Sequence, residues 1–392
     1  MKHWCVAFVL VLGAALGTAA LLSGGWVRLS PPQAVISREV LLRRHAVHWQ
    51  STAQSAILAV AHGPVLYSRE AQVRRPIASV TKMMTAYLVL THPRLYPENR
   101  RITITAPEVL NDRQGLLKGD SEVPLQVGER VTVGNLLLAL MLPSADDAAW
   151  VLARSYPGGA PAFIRQMNRT AAELGMRETH YVDPDGVNHL GYSTARDLLT
   201  LINRDMALRR FRQLVRTKRA HTPWGWLTNL NQLLWQYPGA IGIKTGWTPY
   251  AGSCLAYAAV RYHGGQRLVL EGVVLDEPSF GVMFRDVAGL LNEGFRALRY
   301  QVVFPRGATV AVVRVRGGWW RRPQPAVKLV LGQPVGAYPV ATRARVQVRW
   351  VVRHWTRLSR GEVVGYLRLR LGTTETPWVP VKAQRGAQNR WL

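Results

Sequence analysis

Ser79 and Lys82 stand three residues apart at the head of an apolar, helix-periodic run: Met83, Met84, Ala86, Tyr87, Leu88, Leu90. At that spacing two side chains share one helix face. A serine hydroxyl attacks poorly until a base takes its proton, and a desolvated lysine amine is such a base. A helix N-terminus adds free N–H groups and positive potential where an oxyanion would form. Alone, Ser-x-x-Lys is weak evidence, because capped helix starts use the same residues. Two further stretches follow in order. Leu142-Pro143-Ser144-Ala145-Asp146-Asp147 lies at a break between helical runs, where Ser144 and Asp146 can enter a cleft from one turn. Gly242-Ile243-Lys244-Thr245-Gly246-Trp247-Thr248 reads as a strand with Lys244 and Gly246 on one face. The lysine suits a substrate carboxylate, and the glycine lets another backbone come close.

The elements that must position these residues follow from periodicity. Residues 55–67 read as two strands around His62-Gly63-Pro64, and a short alternating strand starts at Arg101. Residues 111–128 are irregular. Helical runs are expected over 133–142, 147–152 and 161–175, and from a Ser193 or Thr194 cap onwards. A strand–turn–strand pattern covers 240–261, a strand 267–274 and an amphipathic helix 285–300. Beyond Tyr300 the pattern changes to alternating stretches at 309–315, 326–331, 345–352 and 362–371, which predict a small β-sandwich. No catalytic set stands out in it. Its Trp319, Trp320, Trp350, Trp355 and Trp378, among many arginines, suit either a core or a binding face.

The chain has 392 residues, enough for two domains, and a formal charge of +27. The excess is uneven: residues 301–392 hold 17 Lys and Arg against only Glu362 and Glu375. Such a surface attracts polyanions such as anionic wall polymers or lipid headgroups. Residues 4–27 carry no charge and end at Arg28, with Trp4 and Trp26 near the two ends. This is a secretory signal or an uncleaved membrane anchor, and either exports the rest of the chain. Export argues against nucleic acid as a partner. Cys5 and Cys254 sit in different parts and form no disulfide framework; His45 and His48 read as surface residues. The expected organisation is 1–28 signal peptide or anchor, 29–54 linker or short packing arm, 55–300 catalytic domain and 301–392 basic β-rich domain.

Taken in order, the three motifs resemble those of the serine D-Ala-D-Ala carboxypeptidases, the low-molecular-weight penicillin-binding proteins: Ser-x-x-Lys, Ser-x-Asn and Lys-Thr-Gly. Residues 56–67, 76–90, 125–149, 181–186, 192–199, 229–255 and 285–295 look like the family's pattern as well. The resemblance implies an α/β (α+β) serine penicillin-recognising fold, an antiparallel sheet flanked by helices, followed by a small all-β sandwich. It implies Ser79 as the acylated nucleophile, Lys82 as its base and Ser144 as a proton relay to the leaving amine. Asp146, Lys244, Thr245, Gly246 and Trp247 would face the substrate. Lys244 and Thr245 would hold its carboxylate, and the N–H groups of Ser79 and Trp247 would form the oxyanion hole. The implied substrate is the D-Ala-D-Ala end of a peptidoglycan stem peptide, with β-lactams as inhibitors at the bacterial envelope and no metal or cofactor.

One position departs from that pattern. Asp146 stands where the family has Asn. An amide donates a hydrogen bond to a substrate carbonyl; an ionised carboxylate cannot. Two nearby lysines favour the ionised form, and its pairing with Lys82 would blunt that base. A weakened, wall-binding relative is therefore one alternative. A D,D-endopeptidase that uses the same site is another. A class A β-lactamase is disfavoured, because no Glu-x-x-Leu-Asn follows the second motif; Glu108-Val109-Leu110-Asn111 precedes it.

Overall fold

The first sheet forms from strands Ser55–Val60 (β1), Val65–Arg69 (β2), Ala240–Thr248 (β3), Gly252–His263 (β4) and Gln266–Glu277 (β5). They lie antiparallel in the order β3-β4-β5-β1-β2. The computed structural model describes residues 28–105, 121–316, 326–352, 358–372 and 374–386. Residues 4–27, Cys5, Glu108, Trp319, Trp320 and Trp355 lie outside them.

Alternation along the strands splits the core into two layers. Ile57, Ala59, Ala256, Ala258 and Val273 pack against one set of helices; Ala56, Leu58, Leu255, Tyr257 and Val274 pack against the other side. The first set comprises Lys82–Thr91 (α1), Val133–Met141 (α2), Asp146–Arg154 (α3), Gly159–Glu173 (α4), Ala195–Asp205 (α5) and Arg209–Arg216 (α6). The second face is covered by Phe280–Ala297 (α7), through Met283, Val287, Leu290 and Leu291. Helix α7 begins five residues before the expected start at 285, because Ser279 Oγ accepts from the Val282 N–H at 3.3 Å and caps it. Thr194 caps α5 in the same way. Helix α1 runs through the middle of the first layer, with Met83, Met84, Ala86, Leu88 and Val89 all buried. His45 and His48 are exposed, and Cys254 is buried and unpaired.

Past α7 the described chain is all β. Thr309–Val313, Val327–Leu331, Val379–Ala383, Val363–Leu371 and Arg343–Trp350 pair in that spatial order around a core of Val310, Val313, Leu329, Leu331, Leu367 and Leu369. The stretch 29–54, expected to be a linker or packing arm, is built into this sheet. Gln33–Ala34 pairs with one edge, at Ala311 and Val312, and Glu39–Leu41 with the other, at Arg343 to Arg345. Arg28–Leu29 pairs with Val315–Arg316. Five steps of chain reach at most about 19 Å, so the two sheet edges must lie close together. Farther on, Trp49 Nε1 and Ser51 Oγ donate to Asp286 at 2.8 and 2.6 Å, tying the same stretch to α7. Exposed sheet edges invite pairing with other chains, and here the N-terminal strands cover both.

Candidate active site

Ser79 lies in a tight 3₁₀ turn, Ala78–Thr81, that leads into α1. Ala78 takes φ +48°, a left-handed conformation, which bends the chain sharply before the nucleophile. Two glycines hold this turn from either side. A Cβ on Gly246 would sit 2.9 Å from Ser79 N and 3.0 Å from Val80 N, so only a bare backbone lets β3 pass this close. A Cβ on Gly186 would sit 1.9 Å from the Ala78 carbonyl oxygen. The 183–186 turn is folded by its own aspartate: Asp183 accepts from the N–H groups of Gly186 and Asn188, both at 2.7 Å.

Lys82 is fully buried. Its Nζ donates to Ser79 Oγ at 2.8 Å and to the Asp185 carbonyl at 2.9 Å, and it contacts Asp146 Oδ1 in a short ion-pair geometry. Thr85, one turn on, donates to the Pro184 carbonyl at 2.6 Å, so α1 grips the 183–186 turn twice. Trp150 Nε1 donates to Asp185 Oδ2 at 2.7 Å from α3.

Ser144 and Asp146 come from the turn between α2 and α3. Pro143 interrupts the helix, and Ser144 takes φ +70°. The Asp146 N–H donates to the Ser121 carbonyl at 2.7 Å, while Asp147 accepts from Val123 and Ala148 at 3.1 and 2.6 Å. Asp147 therefore fastens the 121–125 segment to the start of α3. Burial pushes its carboxyl up to about 7.

Lys244 is buried on β3 and donates to the Thr245 carbonyl at 2.8 Å. Burial drives its ammonium well below the ordinary lysine range, with the Lys82 charge adding to that effect and Asp146 opposing it. Thr245 is buried, whereas the Trp247 side chain is half exposed.

The Asp146–Lys82 pairing expected from the sequence is present. The bias on Asp146 is the reverse of what two lysines alone would give. Burial is the largest influence and raises the carboxyl above its usual range, and Lys82 pulls it back only in part. Asp185 is pushed to about 7 by burial and by Asp183. Burial thus makes both carboxyls hold their protons more tightly than solvent would.

The first motif meets the second where Lys82 contacts Asp146 and the third where Gly246 passes Ser79; Ser144 is buried in the turn before Asp146, and Lys244 is buried two residues before Gly246 on β3. The turn at Asp183-Pro184-Asp185-Gly186 carried no assigned role in the sequence. Its Asp-Pro and Asp-Gly pairs mark a turn, but a carbonyl that receives a lysine has no residue signature.

Comparison with known proteins points the same way. A family model described as D-alanyl-D-alanine carboxypeptidase matches residues 43–279. A D-alanyl-D-alanine carboxypeptidase of Streptomyces sp. strain K15 is 38% identical over 253 residues, 59% of this chain and 83% of that protein. A D-alanyl-D-alanine endopeptidase of Pseudomonas aeruginosa is 35% identical over 204 residues, 49% of this chain and 62% of that protein. Penicillin binding protein 5 from Haemophilus influenzae superposes with TM-score 0.61, covering 88% of this chain and 100% of that one; at 21% identity this is a likeness of fold, and it extends into the C-terminal β region.

Proposed function

Because the chain belongs to the D-alanyl-D-alanine carboxypeptidase family, peptidase S11, we propose that Ser79 is its acylated nucleophile. The chain is a serine hydrolase of that family, a carboxypeptidase acting on peptidoglycan and binding penicillins. The observation that carries the residue assignment is the buried Lys82 Nζ at 2.8 Å from Ser79 Oγ. In the forward step Ser79 Oγ bonds to the carbonyl carbon of the penultimate D-Ala, and its proton passes to Lys82. The N–H groups of Ser79 and Trp247 stabilise the oxyanion. The C–N bond then breaks, and Ser144 relays the proton to the departing amine of the terminal D-Ala. Water hydrolyses the ester and returns Ser79. Lys244, with Thr245, receives the substrate carboxylate, whose negative charge draws the lysine back towards its ammonium form. A penicillin acylates the same oxygen as its ring amide opens.

Asp146 sets the working protonation state. When it carries a proton, it can donate a hydrogen bond as the family's amide does, and Lys82 is left as a free base. When the proton sits on Lys82, the base is occupied and the site is idle. Activity lower than that of an Asn-bearing relative follows.

Residues 55–300 form the catalytic unit in this reading, outside the cytoplasmic membrane. Residues 4–27 hold the chain at that membrane, and the basic C-terminal region meets a polyanion of the envelope, such as an anionic wall polymer. Among the described residues no helix is long and apolar enough to cross a membrane.

The test is D-Ala release from a soluble acyl-D-Ala-D-Ala peptide by the wild type and by Ser79→Ala. Release that disappears with Ser79 supports the reading. No release from a folded wild type would overturn it in favour of the endopeptidase, the activity named for the 35% identical relative, or of a weakened binding protein.

A further inference from the structure

The groups assigned above give a bound peptide a direction. Lys244 and Thr245 take its terminal carboxylate, and the Trp247 N–H takes the oxygen of the scissile carbonyl. Trp247 stands two residues beyond Thr245 on β3. The terminal D-Ala therefore lies on the Lys244 side, and the peptide before the D-Ala pair leaves past Trp247, towards the turn that joins β3 to β4. An extended residue covers about 3.3 Å, so the residue before the pair stands one step beyond Trp247.

Three large apolar side chains are exposed in that direction: Trp247 at 50%, Tyr250 at 61% and Leu190 at 64%. Single exposed apolar residues are ordinary; a group of them at the mouth of a site is not. Tyr250 lies in the β3–β4 turn, and its ring stacks on His189 with centroids 4.3 Å apart and planes at 25°. His189 and Leu190 belong to the loop that follows Gly186. The stack thus joins the two segments that already close on the nucleophile: β3, where Gly246 passes Ser79, and the 183–186 turn, where the Asp185 carbonyl meets Lys82.

Both segments are held from within. The Thr248 hydroxyl and carbonyl accept from the Ala251 N–H at 3.1 and 3.2 Å. Asp183 accepts from the Asn188 N–H at 2.7 Å, and Asn188 Oδ1 accepts from the Leu190 N–H at 3.0 Å. The rings are therefore presented in place before a ligand arrives, which lowers the cost of binding one. Residues 187–191 and 245–252 contain no Lys, Arg, Asp or Glu. Such segments offer a ligand ring faces and a leucine side chain, which suit methylene groups.

We propose that Tyr250, with His189, Leu190 and Trp247, forms the wall against which a substrate lays the side chain of the residue before its D-Ala pair, and that this wall selects a long aliphatic side chain there. The inference rests on the carboxypeptidase reading above and names what that site prefers.

The experiment measures D-Ala release by the full chain from acetyl-X-D-Ala-D-Ala, with X alanine, norleucine or lysine. The norleucine and lysine peptides should give kcat/KM about tenfold above alanine, the return on burying about two methylene groups. The gain should lie in KM, because the wall stands away from the reacting atoms. Tyr250→Ala should raise KM for both long peptides towards the alanine value, and Tyr250→Phe, which keeps the ring, should restore it. Equal kcat/KM for the three peptides, in a wild type whose release is lost with Ser79→Ala, overturns the proposal and leaves the carboxypeptidase reading standing. So does a Tyr250→Ala variant that loses kcat on all three peptides alike, which would make the ring a prop for β3. If the wild type releases no D-Ala, the carboxypeptidase reading fails and binding judges the wall. The same peptides titrated into Ser79→Ala, read by tryptophan fluorescence, should keep the tenfold order in Kd, and equal Kd values overturn the proposal.

Discussion

The catalytic half and the C-terminal sandwich use charge in opposite ways. The first sinks it: Lys82, Asp146, Lys244, Asp185, Asp205 and Glu271 are all buried. The second displays it, on Arg314, Arg343, Arg345, Arg349, Arg360 and Arg370. Burial removes the water that levels all carboxyls and amines to their ordinary affinities for protons, so position alone decides who holds one. Exposure leaves those affinities alone and yields a field that salt can screen. Buried charge serves local chemistry; exposed charge serves attraction at a distance.

Four changes break or sharpen this contrast, from largest effect to smallest. Gly246→Ala forces a Cβ to within 2.9 Å of Ser79 N, so one of the two backbones must move. Penicillin acylation in stopped flow should fall on the order of 10³-fold, because the oxyanion donors shift, and the melting temperature should fall with it.

Glu271 lies among the core residues of β5 with Oε2 unpartnered, and burial pushes its carboxyl up to about 7. A raised folded value means that its contribution is complete below the ordinary carboxylate range and is lost as pH rises through about 7. Wild type should lose about 3 kcal/mol from this group between pH 5 and 8, and Glu271→Gln should flatten that slope in denaturant titrations. Asp147 and Asp185, also pushed to about 7, act in the same direction.

Asp146→Asn removes the contest for the proton beside Lys82. Acylation at neutral pH should rise about tenfold, on the scale of one hydrogen bond to a charged group released from the base, and its pH profile should lose one inflection. An unchanged or slower rate would sink the role given to Asp146. Arg368→Lys in the sandwich gives up stacking on Trp378 at 4.4 Å and a geometry suited to Glu375. Its cost should stay below about 1 kcal/mol, shrink in salt and leave acylation untouched.

Much of the site was legible because its chemistry depends on residue type at fixed spacing. Ser79 and Lys82 share a turn, and β3 needs glycine where it crosses that turn. Periodicity also placed both strands around His62 and most of the helices. What stayed hidden depends on backbone or on distant pairing. The Asp185 carbonyl binds Lys82 through an atom every residue has. Arg209–Arg216 is short and dense in arginine, and the hairpin Arg219–Thr222/Gly225–Thr228 has strands of only four residues, so the apolar rhythm of both is faint. Gln33–Ala34 and Glu39–Leu41 are two and three residues long, and their partners lie some 300 residues away. The bias on Asp146 was misjudged because spacing reveals neighbours and says nothing of lost water.

Those short strands at 33–41 also have a calendar. They are made some 300 residues before the strands whose edges they cover. At about 5–20 residues per second, ribosomal synthesis separates them by tens of seconds. Through that interval the catalytic half is complete enough to fold, while 33–41 has nothing to join. The piece of the sandwich made before all its other strands is therefore the last to find its place, and a chain stalled before Arg343 would carry a finished active site beside an open edge.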